Sequence, residues 1–414
     1  MPPKPNVIVF GGLNTLSRAL VSHLVPLQGE PLVNHLRIVD KYSINPPTTY
    51  LGAEFKEVVK NPTIEYKQAN LTVASIVGST FDPPEGQAPY SYVFDLSGEI
   101  RWDRPEQVQI TQTFHVARFI ALEAAKRNVK AYVRLQHPFY TSDKKPGEEK
   151  DDLKPEGVNG TWWHESLRAI AAIPNLNLVI LRTTQTYGPY QIEMISSIFV
   201  ISAVYAYLKQ PVKSLWSPGK FLYNVTHNSD VAAALWRCAT WIDEIGGREK
   251  ANELAGETIQ WHNDKKHVGE VEGMVPHNVT VKAPLFHLSG NPDLTYNELL
   301  KAIATTLGTT HEYHDFITST AAKFRLEDSV EDINEEHVGA WTQMITTSNP
   351  PLPNTPLSAY LDLYLLSKHQ FGLSNKKIQD IMSFKPKVPG ITEAAIKELI
   401  QKWKDEGSWP KFDH

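Results

Sequence analysis

The chain has 414 residues, of which 41% are hydrophobic and 21% are charged. This composition is typical of a globular protein, and a chain longer than about 300 residues is expected to form two lobes. The net charge of −5 argues against a nucleic-acid partner held by bulk electrostatic attraction. The single cysteine, Cys238, excludes an internal disulfide bond and predicts a buried thiol in a reducing, cytoplasmic compartment.

The first twenty residues predict a strand, a tight turn and a helix. Residues 7–10 form an apolar run, Gly11 and Gly12 begin the turn, and a helix-like segment follows at residues 18–24. In dinucleotide-binding folds this order of elements presents backbone N–H groups to a pyrophosphate. Because residues 1–5 lead directly into the strand and no run approaches the roughly twenty apolar residues of a membrane span, we expect neither a signal peptide nor a membrane anchor.

Two glycines of the usual three-glycine turn are replaced. Counting from Gly11, the second glycine position is Asn14 and the third is Ser17. Asparagine tolerates left-handed backbone angles and can preserve the turn, whereas a serine adds atoms where helix and strand pack closely. We therefore expect the turn to identify the fold, but to hold a dinucleotide less tightly than a turn with all three glycines would.

The elements that follow predict a parallel sheet. Apolar or alternating runs predict five further strands, at residues 36–40, 64–71, 92–97, 131–135 and 178–182. Helices are predicted between them, most clearly at residues 107–127 and 166–172. Strands separated by helices with right-handed crossovers favour a doubly wound, Rossmann-like α/β fold.

The second half of the chain is less regular. Residues 248–284 form a polar excursion, and residues 349–356 form a proline-rich connector that cannot be helical. Helices are predicted at residues 296–307 and 393–404, capped by Thr295 and Thr392 respectively, and a buried helix at residues 195–208.

Two lobes follow from this order of elements. The predicted domains are a dinucleotide-binding domain at residues 1–190 and a smaller C-terminal substrate lobe at residues 191–414. We expect a strand near residues 221–225 to return to the sheet, so that residues 220–240 rejoin the first domain.

Asp40 ends the second predicted strand. A carboxylate at this place can accept hydrogen bonds from both hydroxyls of an adenine ribose, which favours NAD over NADP because a 2′-phosphate would be repelled. The neighbouring Lys41 leaves NADP open. The alternative is that Asp40 is only the polar end of a strand.

The glycine turn, Asp40, Asn70-Leu71 and residues 95–98 together resemble the extended short-chain dehydrogenase/reductases (SDRs). These are the NAD-dependent epimerases, dehydratases and 3β-hydroxysteroid dehydrogenases. Later segments resemble other family motifs, so the likeness runs in order from Val7 to Trp409. It implies NAD as cofactor and the following contacts to it: Gly11, Gly12, Asn14, Leu16, Asp40, Asn70, Leu71, Ser97 and Gly98.

The catalytic positions of the family are replaced. Its reaction uses a serine or threonine after the fifth strand and a Tyr-x-x-x-Lys pair on the next helix, which align here with Gln136, Trp163 and Leu167. An indole N–H cannot transfer a proton near neutral pH, and leucine carries no charge. Shifting the register by one residue pairs His164 with Arg168, and neither of these is the usual species.

Other groups could replace the lost pair. Tyr140 and Tyr187 are candidate proton donors, and His164 is a candidate base. The alternative is that the aromatic residues near Tyr140 and Trp163 merely fill the former active site. The fifteen histidines show no metal-ligand spacing, so no metal site is predicted.

Three functions are compatible with the sequence. The first is a non-catalytic or regulatory SDR-like protein, a pseudoenzyme, that keeps a cofactor or ligand pocket. The second is an active atypical enzyme with a rebuilt site that performs a redox, epimerase/dehydratase, elimination or cyclisation step. The third is a protein-interaction module, based on the acidic residues 327–336 and the proline-rich connector at residues 349–356. The partners we expect are a small-molecule ligand or substrate and a second copy of the chain in a homodimer, with neither nucleic acid nor membrane.

Overall fold

The central feature of the computed structural model, which describes residues 3–411, is an eight-stranded sheet. The strands of the molecule are β1 (Asn6–Phe10), β2 (His35–Asp40), β3 (Ile64–Gln68), β4 (Tyr92–Asp95), β5 (Ala131–Gln136), β6 (Tyr140–Thr141), β7 (Lys154–Pro155), β8 (Leu178–Thr183), β9 (Gln185–Tyr187), β10 (Val212–Ser214), β11 (Val225–His227), β12 (Gly256–Thr258), β13 (Lys282–Leu288) and β14 (His311–Tyr313). The order in the large sheet is β12-β13-β8-β5-β4-β1-β2-β3, and every pair except β12–β13 is parallel. The Rossmann-like α/β fold is therefore confirmed.

Helices cover both faces of this sheet and build the C-terminal lobe. They are α1 (Thr15–Leu24), α2 (Ala53–Val58), α3 (Ala74–Thr80), α4 (Glu106–Gln109), α5 (Val116–Lys126), α6 (Gly157–Ala171), α7 (Ser196–Tyr207), α8 (Asn228–Ile245), α9 (Arg248–Ala255), α10 (His267–Glu270), α11 (Tyr296–Thr306), α12 (Phe316–Phe324), α13 (Val330–Thr347), α14 (Leu363–Leu366), α15 (Lys376–Met382) and α16 (Glu393–Asp405). Thr295 and Thr392 cap α11 and α16 as predicted. No helix within residues 3–411 is both long and apolar enough to cross a membrane.

The strands that position the site are buried on both faces, as expected for a parallel sheet under helices. Every residue of β1, β2, β4, β5 and β8 is buried. One apolar cluster joins the sheet to α1 and α8 and includes Cys238, so the prediction of a buried thiol is confirmed. The opposite face packs against α3, α5 and α6 in a second cluster.

The prediction that residues 221–225 return to the main sheet is wrong. Val225–His227 pairs instead with Gln185–Tyr187 in a separate two-stranded sheet. The place beside β8 is taken by Lys282–Leu288, whose apolar residues pair in parallel with it. This strand begins within residues 248–284, which are mostly polar in sequence, so the sequence gives no clear start for its apolar run.

The predicted long helix at residues 107–127 contains an irregularity. Between α4 and α5, residues Ile110–His115 form a π-helical segment. Extra residues of this kind within a helix are frequent at functional sites. Here Thr113 of the segment accepts a hydrogen bond from the backbone of Glu99, in the loop after β4.

Candidate functional site

A cleft of about 280 Å³ opens where β1, β2 and β4 end. β1 lies between the other two strands, so the cleft is at the switch point of a doubly wound sheet, where ligands bind in such folds. The predicted cofactor contacts that line it are Gly11, Asn14, Asp40, Asn70, Leu71, Ser97 and Gly98. Leu16 lines a neighbouring cavity of only about 30 Å³.

The two glycines of the turn are required by close packing. Gly11 has a φ of +67°, and a Cβ there would lie 2.8 Å from the carbonyl oxygen of Leu96. A Cβ on Gly12 would lie 2.2 Å from Cγ2 of Ile38. The turn is therefore pressed against both neighbouring strands, as a pyrophosphate-binding turn requires.

The two replaced glycines have become hydrogen-bonding residues of the turn itself. Oδ1 of Asn14 accepts the Ser17 N–H at 2.8 Å and so caps α1, while Nδ2 donates to the Leu96 carbonyl at 2.9 Å. The Ser17 hydroxyl donates to the Gly11 carbonyl at 2.7 Å. The turn is thus held in shape, and one of the N–H groups that a helix start offers to an anion is already satisfied.

Asp40 connects the turn to the second strand. Its carboxylate accepts the Leu13 N–H at 2.9 Å and the Tyr42 N–H at 3.2 Å, one on each oxygen. Burial raises its pKa, and these backbone hydrogen bonds oppose the shift. Each oxygen retains a lone pair at the cleft wall, which a ribose hydroxyl could occupy.

The charged residues around the cleft have a cationic excess. Arg18, Lys41, Arg101 and Arg104 line it, against Asp40, Glu99 and Glu193. Arg18 is almost fully buried and donates to the carbonyls of Leu51 and Tyr190, which leaves its charge beside the start of α1. Four cations against three carboxylates favour an anionic ligand at this place.

Trp163 of α6 packs behind the wall of the cleft at the loop after β4, which we call the closed end. Its indole lies against Gly98, where an added Cβ would be 2.4 Å from Cζ2 of the ring. The indole Nε1–H donates to the Glu99 carbonyl at 2.9 Å, and the whole side chain is buried. Trp163 thus bridges from α6 to the loop after β4.

A buried cation, Arg134, contacts the indole of Trp163. The guanidinium of Arg134 lies 4.6 Å from the Trp163 ring centre, within the range of a cation–π contact. It pairs with Asp95 at 2.9 Å and donates to the Ser97 carbonyl at 2.7 Å. Arg134 and Asp95 are both fully buried, so they hold the closed end as one unit.

The other two replaced positions do not face an open site. Leu167 is fully buried in the apolar cluster on one face of the sheet. Gln136 is fully buried, and neither its amide oxygen nor its amide nitrogen has a hydrogen-bond partner. His137 packs 4.8 Å from the Trp163 ring, and burial lowers its pKa to about 3.

Comparisons with known proteins agree with this geometry. Residues 92–252 match the NAD dependent epimerase/dehydratase family. A dTDP-glucose 4,6-dehydratase double mutant of Streptomyces venezuelae with NAD bound is 14% identical, with a TM-score of 0.58 and 97% of each chain covered. The chain has the fold of an extended SDR.

Two other structures support the same assignment. A UDP-glucose 4-epimerase of Thermotoga maritima with UDP-glucose is 13% identical, with a TM-score of 0.59 over 97% of this chain and 99% of that one. The Bordetella bronchiseptica enzyme WbmG with NAD and UDP is 13% identical, with a TM-score of 0.60 over 99% and 98%. A comparison with curated protein sequences finds no match. The resemblance to extended SDRs predicted from the sequence is confirmed.

Within this SDR fold, Tyr140 and His164 form a hydrogen-bonded pair. His164 Nε2–H donates to the Gln260 carbonyl at 2.7 Å, so Nδ1 accepts from the Tyr140 hydroxyl at 3.1 Å. Burial raises the pKa of Tyr140 and lowers that of His164 to about 3. Neither residue lines the cleft or the 30 Å³ cavity.

Tyr187 lies apart from that pair. Its hydroxyl donates to the Gly390 carbonyl at 2.5 Å, and its ring packs on Phe199 in the apolar cluster of the C-terminal lobe. The structure therefore brings together two of the three candidate catalytic groups.

Several cleft residues give no recognisable signal in the sequence. Arg18 follows the glycine turn on α1, and Glu193 reaches the cleft from the start of the C-terminal lobe. Arg134 lies within a strand that otherwise predicts only core packing. Within residues 3–411, no group of three or more histidine, cysteine, aspartate or glutamate residues is arranged to hold a metal ion.

Proposed function

We propose that this SDR-like protein binds the adenosine diphosphate half of NAD in the cleft and does not transfer hydride by the Tyr/Lys route of its family. The role we propose is non-catalytic or regulatory, with the nucleotide acting as a ligand. The observation that carries this proposal is the packing of Trp163 against Gly98 at the closed end of the cleft.

The residues present suit the adenosine half. Asp40 offers carboxylate lone pairs for ribose hydroxyls, and the start of α1 with Arg18 offers N–H groups and positive charge for phosphates. The cleft volume of about 280 Å³ is just below the range of about 300–1,000 Å³ for small-molecule sites, which suits part of a dinucleotide better than the whole. NAD in the structures of similar fold supports this choice of nucleotide.

The nicotinamide half does not suit the remaining space. In the family, the tyrosine and lysine of α6 face the nicotinamide ribose, and their positions here are Trp163 and Leu167. The adjoining cavity of about 30 Å³ matches the volume of a single water molecule. We therefore derive no hydride step, and the residues named hold only a nucleotide.

The alternative of a rebuilt active site has less support. Tyr140 and His164 are paired, but their hydrogen bond lies in the protein interior and the tyrosine ring is covered by Arg182 at 4.3 Å. Burial moves both pKa values away from neutrality, which disfavours proton transfer at physiological pH.

Calorimetry on two neighbouring tryptophans tests the proposal. For the wild type we expect ADP and NAD to bind with affinities within about threefold of each other, because the nicotinamide adds no contact. Trp163→Ala opens the closed end, so the NAD affinity should rise at least about tenfold relative to ADP, equivalent to about 1.4 kcal/mol.

Trp162→Ala is the matched control. Trp162 is equally buried on the same helix, but its indole donates to Glu106 at 3.0 Å and packs on Phe114. Both variants should lose stability, about 3–5 kcal/mol each, and only Trp163→Ala should change the ratio of NAD to ADP affinity. A wild type that prefers NAD tenfold, or NAD(H) turnover that disappears in Tyr140→Phe or His164→Ala, would overturn the proposal.

A further inference from the structure

A second cavity lies in the C-terminal lobe, outside the nucleotide cleft. It has a volume of about 730 Å³ and is enclosed by α7, β10, α11, α12 and α13. None of its lining residues lines the cleft. Its size falls within the range of about 300–1,000 Å³ for small-molecule sites.

The walls of this cavity are mainly apolar, with polar side chains such as Tyr223, His337 and His369 among them, and its charged residues are exposed. Buried or half-buried apolar residues from four elements and two loops contribute to the walls: Ile198, Ile201, Val212, Leu215, Leu300, Ile333 and Leu361. The charged lining residues are Lys213, Arg325, Asp332 and Glu336, and all four are exposed. Two cations beside two carboxylates in water give no net preference for an anion. The interior therefore suits a neutral ligand.

One polar group in the wall has a defined orientation. The Asn334 amide donates to the carbonyls of Val330 and Leu361, so its Oδ1 is an acceptor. That oxygen accepts from His337 Nε2–H at 2.9 Å, and Nδ1 of the imidazole is therefore the acceptor of the ring. Burial lowers the pKa of His337 to about 4, so the ring is neutral at pH 7. A hydroxyl or N–H of a ligand would satisfy Nδ1.

Apolar surface continues from the mouth to the outside along α12. Phe316, Ile317 and Phe324 are 84%, 79% and 85% exposed, more than any other large apolar residue within the described chain. Ile317 itself lines the cavity. Grouped exposed apolar residues are typical of interaction sites, ligand-binding grooves among them, and Ile317 connects this group to the cavity.

We propose that this cavity is a second ligand site, which takes a neutral and mainly apolar small molecule carrying one hydroxyl or N–H group. It is separate from the nucleotide cleft and does not depend on the function proposed for the cleft. The apolar walls supply the affinity, and His337 fixes the polar end of the ligand.

Binding of 10-(1-pyrene)decanol, followed by pyrene fluorescence, tests this proposal on the full chain. We expect saturable binding of one molecule per chain, unaffected by excess ADP. The matched anion 10-(1-pyrene)decanoic acid should bind at least about tenfold more weakly, because the interior has no cation. In His337→Phe, the preference for the alcohol over 1-decylpyrene should disappear.

Cavity-filling variants distinguish the interior from the surface. Ile198→Trp and Leu361→Trp fill the cavity from two sides at half-buried positions, and each should lower the affinity for the alcohol at least tenfold. Ile345→Trp is the control, because Ile345 is half-buried in the same lobe and does not line the cavity. Binding that survives both filling variants, or that is lost only in Phe316→Ser/Phe324→Ser, would place the probe on the surface and overturn the proposal.

Discussion

The two ends of the cleft at the carboxyl edge of the sheet are built from opposite kinds of residue. At the end formed by β1, β2 and α1, small residues and backbone N–H groups leave an open concave surface beside Asp40. At the closed end, Trp163 and Arg134 are fully buried behind the wall of the cleft. The two ends belong to different elements of the fold, so the residues of one end can change while the shape of the other is kept.

The largest expected effect concerns the cation at the closed end. Arg134→Ala leaves the Asp95 carboxylate buried without its partner, and the free energy of unfolding should fall by about 3–5 kcal/mol. Urea denaturation followed by circular dichroism measures this loss. The control is Arg127→Ala, which breaks an exposed pair with Asp82 and should cost about 0–1 kcal/mol. Equal losses would show that the closed end does not depend on its buried pair.

A second prediction compares Asp95 with a buried carboxyl that lacks an ion pair. Glu149 is 6% exposed, accepts the His287 N–H at 2.8 Å and has no ion pair in the described part of the chain. Burial raises its pKa from 4.5 to about 7. The folded state therefore binds the proton more readily than the unfolded state, and this group makes stability fall as pH rises from about 4.5 to about 7.

Glu149→Gln removes that dependence. We compare the free energy of unfolding of the variant with that of the wild type, measured by urea denaturation at each pH. The difference, variant minus wild type, should be roughly 3 kcal/mol larger at pH 7 than at pH 4.5. The difference between the two proteins isolates Glu149 from the buried histidines, whose lowered pKa values act in the opposite direction. A difference that stays constant with pH would contradict the prediction.

The smallest expected effect concerns the open end. Asn14→Gly removes the side chain that caps Ser17 N–H, so ADP affinity in calorimetry should rise about three- to tenfold as that N–H becomes free for a phosphate. Stability should fall by about 1 kcal/mol. Ser17→Gly should lose similar stability without any gain in affinity, because the serine hydroxyl bonds only the Gly11 carbonyl. Equal gains in both variants would mean that the cap does not compete with the ligand.

The sequence predicts the part of the fold that has regular patterns. The strands predicted at residues 36–40 and 92–97 and the caps at Thr295 and Thr392 are confirmed, because apolar runs and capping residues act locally. The π-helical segment Ile110–His115 could not be predicted, since its residues fit an ordinary helical pattern. The strand Lys282–Leu288 was missed because polar residues precede its apolar run.

The candidate site, like the fold, is predictable where its residues follow directly from local sequence patterns. The glycine turn and Asp40 are adjacent to their strands, so their place at the cleft follows from the fold. That Trp163 cannot act as a proton donor also follows from its residue type. Its contact with Gly98 does not, because that contact joins α6 to a loop far away in sequence and depends on how the two pack.

The late position of β13 affects how the chain can fold during synthesis. The edge of β8 stays uncovered until Leu288 has left the ribosome, about a hundred residues after β8 itself. An apolar strand with a free edge invites pairing with other chains. A nascent chain that stalls before this point would therefore expose the unpaired edge of β8. We expect such shortened products to need chaperones to avoid aggregation.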